Sequence, residues 1–300
     1  MSRNLIVVSG PTGIGKTETC FKLREIFGGH IVSADSRQIY KEISIGTAKP
    51  SQIEIKNNQI ELVDHVSVFD EYSVGQFEKE ALEVIEKDFK ASGNSFLSGG
   101  TGLYIQAVCH GLNKFPEVTK EIVNSYNSRL IAEGITSLQD ELKKRDIEYF
   151  NKVDIHNSRR IIRALCVIEQ SGKTYSSFVK QELPPRDFKI IHVALSMDRP
   201  LLYERIDNRV LKMIQAGLIE EAKSMHQYKT LKSLQTVGYQ ELFEYFENSI
   251  TKEEAIAKIQ MNSRRYAKRQ LTWLKKYVIG PRFEPRQVDE IKRYIESQLN

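Results

Sequence analysis

The sequence predicts an α/β fold: a parallel-sheet core, an inserted helical domain and a helical C-terminal region. Three observations carry this. Short β-branched runs alternate with helical periodicity over the first hundred residues. From about Phe115 to Gln181 the chain is charged and helical, with no strand pattern. One more apolar run, Lys189–Ser196, reads as a strand that returns to the same sheet. This β-α-β-α order implies parallel strands covered by helices.

Taken in order, Leu5–Val8 reads as a buried strand, followed by a Gly-rich turn and a helix from Lys16 to about Ile26. His30–Ser33 reads as the second strand. Ser73–Phe89 is helical, with Val74, Phe77, Ala81, Val84 and Ile85 on one face. Ser95–Leu97 is a short strand before Gly99–Gly100. Pro116 and Pro184–Pro185 bracket the helical segment like hinges. The expected division is 1–114 for the first part of the core and 115–185 for the insertion, with 186–300 supplying the last core strand and the C-terminal helices. From Arg199 the chain reads as helical, ending in a long helix near Glu253–Tyr277. Asp198 reads as a helix N-cap, with Pro200 in the first turn.

Composition excludes several classes. Hydrophobic residues make up 40% and charged residues 28%, ordinary for a globular chain. No apolar run approaches the ~18 residues of a membrane span. The start, MSRNLIVVSG, lacks a signal peptide's cleavage region. Cys20, Cys109 and Cys166 lie far apart, which argues against disulfides or structural zinc and for a cytoplasmic setting. The net charge is +5, but Thr251–Asn300 holds 12 Lys/Arg against 6 Asp/Glu. A basic end of this kind is the footprint expected for a polyanionic partner, although charge alone favours a plain solvated basic helix.

Chemistry concentrates in five segments. Gly10-Pro11-Thr12-Gly13-Ile14-Gly15-Lys16-Thr17 matches G-x-x-x-x-G-K-[ST] between a strand and a helix, the context a P-loop requires. Its N–H groups and helix terminus suit a phosphate. Lys16 would neutralise a phosphate oxygen, and Thr17 would hold Mg²⁺. The core is therefore a P-loop parallel sheet. In the second segment, Asp35, Ser36, Arg37 and Gln38 follow a buried strand, where α/β sheets place ligands. Asp35 reads as a general base, a metal ligand or a turn-capping residue. The third is Gly99-Gly100-Thr101-Gly102, with Thr101 at a helix start, capping it or contacting a ligand. In the fourth, Arg159, Arg160 and Arg163 fall on neighbouring positions of one helix, with Ile162 and Leu165 available for packing; an anionic partner would relieve the arginines' repulsion, and a solvated helical face is the alternative. The fifth is the last long helix, where Lys258, Arg264, Arg265, Lys268, Arg269, Lys275 and Lys276 share one arc opposite an apolar face.

Together these segments resemble the tRNA dimethylallyltransferase (tRNA isopentenyltransferase) family, from Gly10 to about Lys276. The matching blocks are GPTGIGKT, IVSADSRQIY, IGTAKP, GGTGLY, RRIIRAL, LLYERIDNRVLKMIQAGL, QTVGYQE and RRYAKRQLTW. Departures fall at Cys166, Ser44 and the reduced Val63-Asp64-His65 segment, away from the expected catalytic groups. With no zinc-finger extension the chain looks like the bacterial type.

The resemblance implies prenyl transfer from dimethylallyl diphosphate to N6 of the adenosine at position 37, in the anticodon stem-loop. It implies a diphosphate in the P-loop, Asp35 as the base and Thr101 positioning the nucleotide. Arg163 or Arg160 would stabilise the leaving group. Expected tRNA contacts are Asp35, Ser36, Arg37, Gln38, Thr101, Arg159, Arg160, Ile161, Ile162, Arg163, Gln235, Gly238, Tyr239, Gln240, Arg264, Arg265, Lys268 and Arg269. A monomer is expected. A small-molecule kinase or an adenylate isopentenyltransferase would share the P-loop without needing the basic helix. A non-catalytic RNA-binding module would not need Lys16, Thr17 and Asp35 together.

Overall fold

The structure, a computed structural model, describes residues 3–278 and 280–299. The chain divides into two compact units, one formed by Met1–His110 with Arg186–Asn300, the other by Gly111–Pro185. The observed break falls at 110/111, ahead of the expected 114/115.

The first unit begins β1 (Asn4–Ser9), α1 (Lys16–Phe27), β2 (Ile31–Ala34), α2 (Gln52–Asn57), β3 (Ile60–Glu61), α3 (Val74–Ala91), β4 (Asn94–Gly99) and α4 (Gly102–His110). The second unit is α5 (Lys120–Arg145), α6 (Ile147–Phe150), α7 (Ser158–Ser171) and α8 (Tyr175–Val179). The first unit resumes with β5 (Lys189–Leu195), α9 (Arg199–Gln215), α10 (Leu218–Met225), α11 (Tyr239–Phe246), α12 (Lys252–Tyr277), β6 (Arg282–Phe283) and α13 (Val288–Leu299).

Six parallel strands form one sheet in the order β3-β2-β4-β1-β5-β6. The central strand β1 is buried along its length, so its run of Leu5, Ile6, Val7 and Val8 is apolar on both faces. Ile6, Val8, Ile191 and Val193 pack toward α1 and α13. Leu5, Val7 and Leu97 pack toward α3 and α4. Helix α3 starts at a capping box of Ser73 and Gln76 and buries Phe77, Ala81, Ile85 and Phe89. A third core, built on Leu218, Tyr239, Leu242 and Ile259, joins α9–α12 to the loop after β2.

Two features at the C-terminal end correct the sequence reading. The chain does not finish in the long helix. Residues Arg282–Phe283 pair with Ala194 and Leu195, and α13 buries Ile291 and Ile295. A two-residue strand carries no periodic signal. The spacing of Val288, Ile291, Ile295 and Leu299 is that of a helix with one apolar face. At α9, Asp198 occupies the N-cap position with proline in the first turn, but its side chain makes no capping bond.

The second unit contains no strand among the described residues. Its α5 breaks at Gly134, whose φ of 75° ends one helical stretch and starts another. Helix α7 buries Ile161, Ile162, Ala164, Leu165 and Cys166 in that unit's core.

Candidate functional site

The parallel sheet places the ends of β1, β2 and β4 on one edge, and the functional loops leave from there. After β1, Gly13 (φ 78°) and Gly15 (φ 108°) adopt left-handed conformations that favour glycine. Gly15 is also the N-cap of α1 and makes no side-chain cap, so the first-turn N–H groups remain available to an anion. A cavity of about 270 Å³ opens over this turn. Its walls include Lys16, Thr17, Asp35, Gln38, Arg205 and Arg209.

Lys16 donates to the Pro11 carbonyl at 3.0 Å. Burial lowers its pKa to about 8; Asp35 opposes the shift, and the Arg209 guanidinium adds to it. Arg209 is itself lowered by burial, again opposed by Asp35. It donates to Thr12 Oγ1 at 2.6 Å and more loosely to the Thr47 carbonyl at 3.5 Å. Two buried cations facing one carboxylate leave an excess of positive charge, which a bound anion would balance. Arg205 and Arg209 lie in the block LLYERIDNRVLKMIQAGL, and single-sequence reasoning assigned neither of them a role.

A second cavity, of about 520 Å³, adjoins the first. Ser36, Arg37, Thr101, Gln235, Gly238 and Gln240 line it, together with Tyr266, Arg269 and Trp273 of α12. Thr12, Asp35, Arg209 and Gln270 belong to both linings and form the shared wall. Asp35 follows β2 and holds an Asx-type turn, with Oδ1 accepting from the N–H of Arg37 at 2.9 Å and of Gln38 at 3.4 Å. Its Oδ2 has no hydrogen-bond partner among the described residues. Turn-capping and a chemical role are therefore compatible, one oxygen for each.

Thr101 does more than start a helix. Its N–H donates to the Ala34 carbonyl, Oγ1 accepts from the Ser36 N–H at 3.0 Å, and its hydroxyl donates to Ser36 Oγ at 3.3 Å. Tyr266 is raised to about 12, first by burial, then by Asp35, with the Thr101 hydroxyl opposing. Arg37 donates to the Ser233 carbonyl at 3.0 Å and holds the loop that leads to Gln235 and Gly238. Gln38 donates to the carbonyls of Thr47 and Ala48. Glu221 accepts from the N–H groups of Ser44, Ile45 and Gly46 and from Tyr239, tying the IGTAKP and QTVGYQ loops together.

Several expected tRNA contacts need correction. Ile161 and Ile162 are 0% and 8% exposed and fill the core of the second unit, so their side chains pack rather than face a ligand. The spacing that puts arginines on one face of α7 necessarily turns these two inward. Tyr239 is also fully buried, under Gly46, with its hydroxyl on Glu221. Arg159, Arg160 and Arg163 are exposed on α7, Arg163 lying over the Phe115 ring. The arc on α12 is not uniform. Lys258 pairs with Glu244 and Arg264 with Asp207, whereas Arg265, Lys268, Lys275 and Lys276 are exposed and Arg269 enters the second cavity.

A nucleotide-hydrolysing P-loop protein needs a second carboxylate to hold its metal. Here the strands beside β1 end in Ser98-Gly99 and Leu195, and Asp35 sits one strand further out. No group of three His, Cys, Asp or Glu side chains that could hold a metal occurs among the described residues. Among the side chains that line the first cavity, the Thr17 hydroxyl and the Asp35 carboxylate offer oxygen donors, to which a bound diphosphate would add its own. That set suits a hard, oxygen-seeking, partly hydrated cation such as Mg²⁺. No helix among the described residues is long and apolar enough to cross a membrane.

Comparison with known proteins bears on this geometry. Residues 38–277 match the family model described as IPP transferase. The chain is 43% identical to the tRNA dimethylallyltransferase of Christiangramia forsetii, over the whole of both chains. It is 39% identical to tRNA dimethylallyltransferase 1 of Bacteroides fragilis, over 99% of each. The crystal structure of the full-length tRNA isopentenylpyrophosphate transferase from Bacillus halodurans superposes with a TM-score of 0.74 at 32% identity, covering 99% of this chain and 97% of that one. A eukaryotic dimethylallyltransferase acting on tRNA gives a TM-score of 0.77 at 25% identity, covering 91% of this chain and 70% of that one. A family model that matches four fifths of the chain, and relatives about 40% identical from end to end, lead to one assignment: this chain belongs to the IPP transferase family of tRNA dimethylallyltransferases.

Proposed function

We propose that this chain transfers a dimethylallyl group from dimethylallyl diphosphate to N6 of the adenosine at tRNA position 37, beside the anticodon, releasing diphosphate. The observation that carries the reading is the pair of adjoining cavities. One is built for phosphate, the other is roomy and partly aromatic, and Asp35, Thr12, Arg209 and Gln270 form the wall between them. Two substrates entering from opposite sides would meet at that wall.

In this reading Gly10, Pro11, Thr12, Gly13, Ile14, Gly15, Lys16 and Thr17 cradle the diphosphate. Ile14 contributes only backbone, because its side chain is core. Thr17, together with the diphosphate, would hold Mg²⁺, which would supply neutralising charge to the leaving group. Lys16 and Arg209 stabilise the same developing charge from the protein side. Arg209 takes the place that sequence reasoning gave to Arg163 or Arg160, and those two arginines are offered to tRNA phosphates with Arg159. The target adenine leaves its stack to enter the second cavity. Its exocyclic amine attacks the allylic carbon, the C–O bond to diphosphate breaks, and Asp35 accepts the amine proton. Thr101 and Ser36 position the nucleotide. Arg265, Lys268 and Arg269 follow the RNA backbone. The enzyme acts as a cytoplasmic monomer on the anticodon stem-loop.

The test is incubation with labelled dimethylallyl diphosphate and Mg²⁺, offering either tRNA or AMP. Label in tRNA at the adenosine after the anticodon is the expected result. Label in AMP alone would move the chain to adenylate prenyl transfer, and phosphate release from ATP without label transfer would make it a phosphohydrolase.

A further inference from the structure

Gln270 is 6% exposed, lies on α12 and faces both cavities. Its Oε1 accepts the N–H of Thr12 in the P-loop at 2.8 Å. Its Nε2 donates to the carbonyl of Gly100 at 2.9 Å. One planar amide therefore joins the diphosphate loop to the loop that carries Thr101. The fit is close from the other side too: a Cβ on residue 100 would stand 2.1 Å from Nε2. Glycine at 100 makes room for this amide. The same helix presents Arg265 and Lys268 outward and Tyr266, Arg269 and Trp273 into the second cavity.

We infer that Gln270 is a positioning residue for the transfer, a strut that sets the register between the diphosphate loop and the nucleotide loop and ties both to the helix that meets the RNA. The inference rests on the proposed prenyl transfer. It requires both halves of the amide, because one end must accept and the other must donate. A displacement of about 1 Å between two reactants held in one site is enough to cost roughly 10²-fold in rate. Both polar atoms of the amide are engaged by the two loops, so its loss should reach the chemical step more than either binding step.

Two variants separate this role from simple packing. Gln270→Met keeps the length and removes both bonds. Gln270→Glu keeps the shape, but as a carboxylate it sets an oxygen against the Gly100 carbonyl. As a neutral acid it accepts from Thr12 and donates to Gly100, reproducing both bonds. Burial and that carbonyl favour the neutral form, whereas Lys16, Arg205 and Arg209 in one cavity and Arg37 and Arg269 in the other favour the carboxylate over the opposing charge of Asp35. A carboxylate at 270 would also raise the Lys16 pKa, so both variants are compared with wild type at one pH, about 7, where Lys16 is already largely protonated.

The experiment measures single-turnover prenyl transfer, equilibrium binding of inorganic pyrophosphate with Mg²⁺, and tRNA binding. For Gln270→Met we expect transfer to fall roughly 10–100-fold, with both binding constants within about threefold of wild type. For Gln270→Glu, whose carboxylate keeps the Thr12 bond and opposes the Gly100 carbonyl, we expect transfer to fall at least about fivefold with both binding constants again retained. Normal transfer by a folded Gln270→Met or Gln270→Glu, or a loss carried entirely by weakened binding, overturns the inference. Should Gln270→Met fail to fold, Gln270→Glu decides alone. Absence of prenyl transfer to tRNA by wild type would instead overturn the proposed function.

Discussion

Replacing Arg209 by methionine tests the electrostatic core of the site most directly. The stem is kept and the charge is lost. Arg209 bonds to Thr12 Oγ1 and lines the wall between the two cavities, where the proposed function puts the leaving diphosphate. Removing one preorganised donor from a developing anion costs about 2.7–4 kcal/mol, or roughly 10²–10³-fold in rate. A second effect follows from Lys16, which burial holds near 8, with Asp35 opposing and Arg209 adding to the shift. Lys16 must be protonated to hold a diphosphate. In wild type, affinity for pyrophosphate is therefore full below about 8 and falls as pH rises through it. One proton limits that fall to about tenfold per pH unit. Without the neighbouring guanidinium the Lys16 pKa rises, and the alkaline fall moves to higher pH. Pyrophosphate's own ionisation is common to both proteins and cancels in the comparison. Single-turnover transfer and pyrophosphate titrations from about pH 7 to about pH 10 read both effects. A rate loss of less than about tenfold, or an alkaline limb that does not move, would refute the reasoning.

Three further outcomes are expected. Asp35→Asn keeps an oxygen for the N–H groups of Arg37 and Gln38 but cannot accept the amine proton, so single-turnover transfer should drop roughly 10²–10⁴-fold. Added Mg²⁺ should not rescue it; recovery would make Asp35 a metal ligand. Reversing Arg265, Lys268 and Arg269 should flatten the salt dependence of tRNA binding by about 0.7–0.9 in log–log slope per lost phosphate contact. Arg264→Ala should matter less, since Arg264 already pairs with Asp207, and an equal effect on the slope would show that pair opening to RNA. Ile161→Ala should destabilise the second unit by about 2–5 kcal/mol in denaturant titrations. Unchanged stability with weakened tRNA binding would return Ile161 to the surface role.

The order of elements in the core was legible because its strands are buried on both faces. β1 and β5 announce themselves as apolar runs, β2 and β4 as short stretches ahead of polar or glycine-rich turns, and α3 by its one-sided apolar face. The P-loop was legible because its chemistry is local: glycines, a lysine and a threonine at fixed spacing between a strand and a helix. The basic face of α12 was legible as charge on one arc. Family resemblance added roles for Asp35 and Thr101 that local reading left open.

Tertiary structure decided the rest, because the deciding contacts join residues far apart in sequence. Arg209 meets Thr12 across 197 positions, and Gln270 meets Thr12 across 258. No periodicity or motif encodes such a pairing, so both residues passed as ordinary helix positions. The same holds for residues that were over-read. Ile161, Ile162 and Tyr239 sit inside blocks that look functional, yet helix geometry turns their side chains into cores. Arg264 shares an arc with Arg265, but Asp207 on α9 claims it. Sequence by itself determined which backbone forms a phosphate cradle and which helix is basic. Only the folded chain decided which charges face each other, since that depends on how the helices after β5 pack back over the sheet edge.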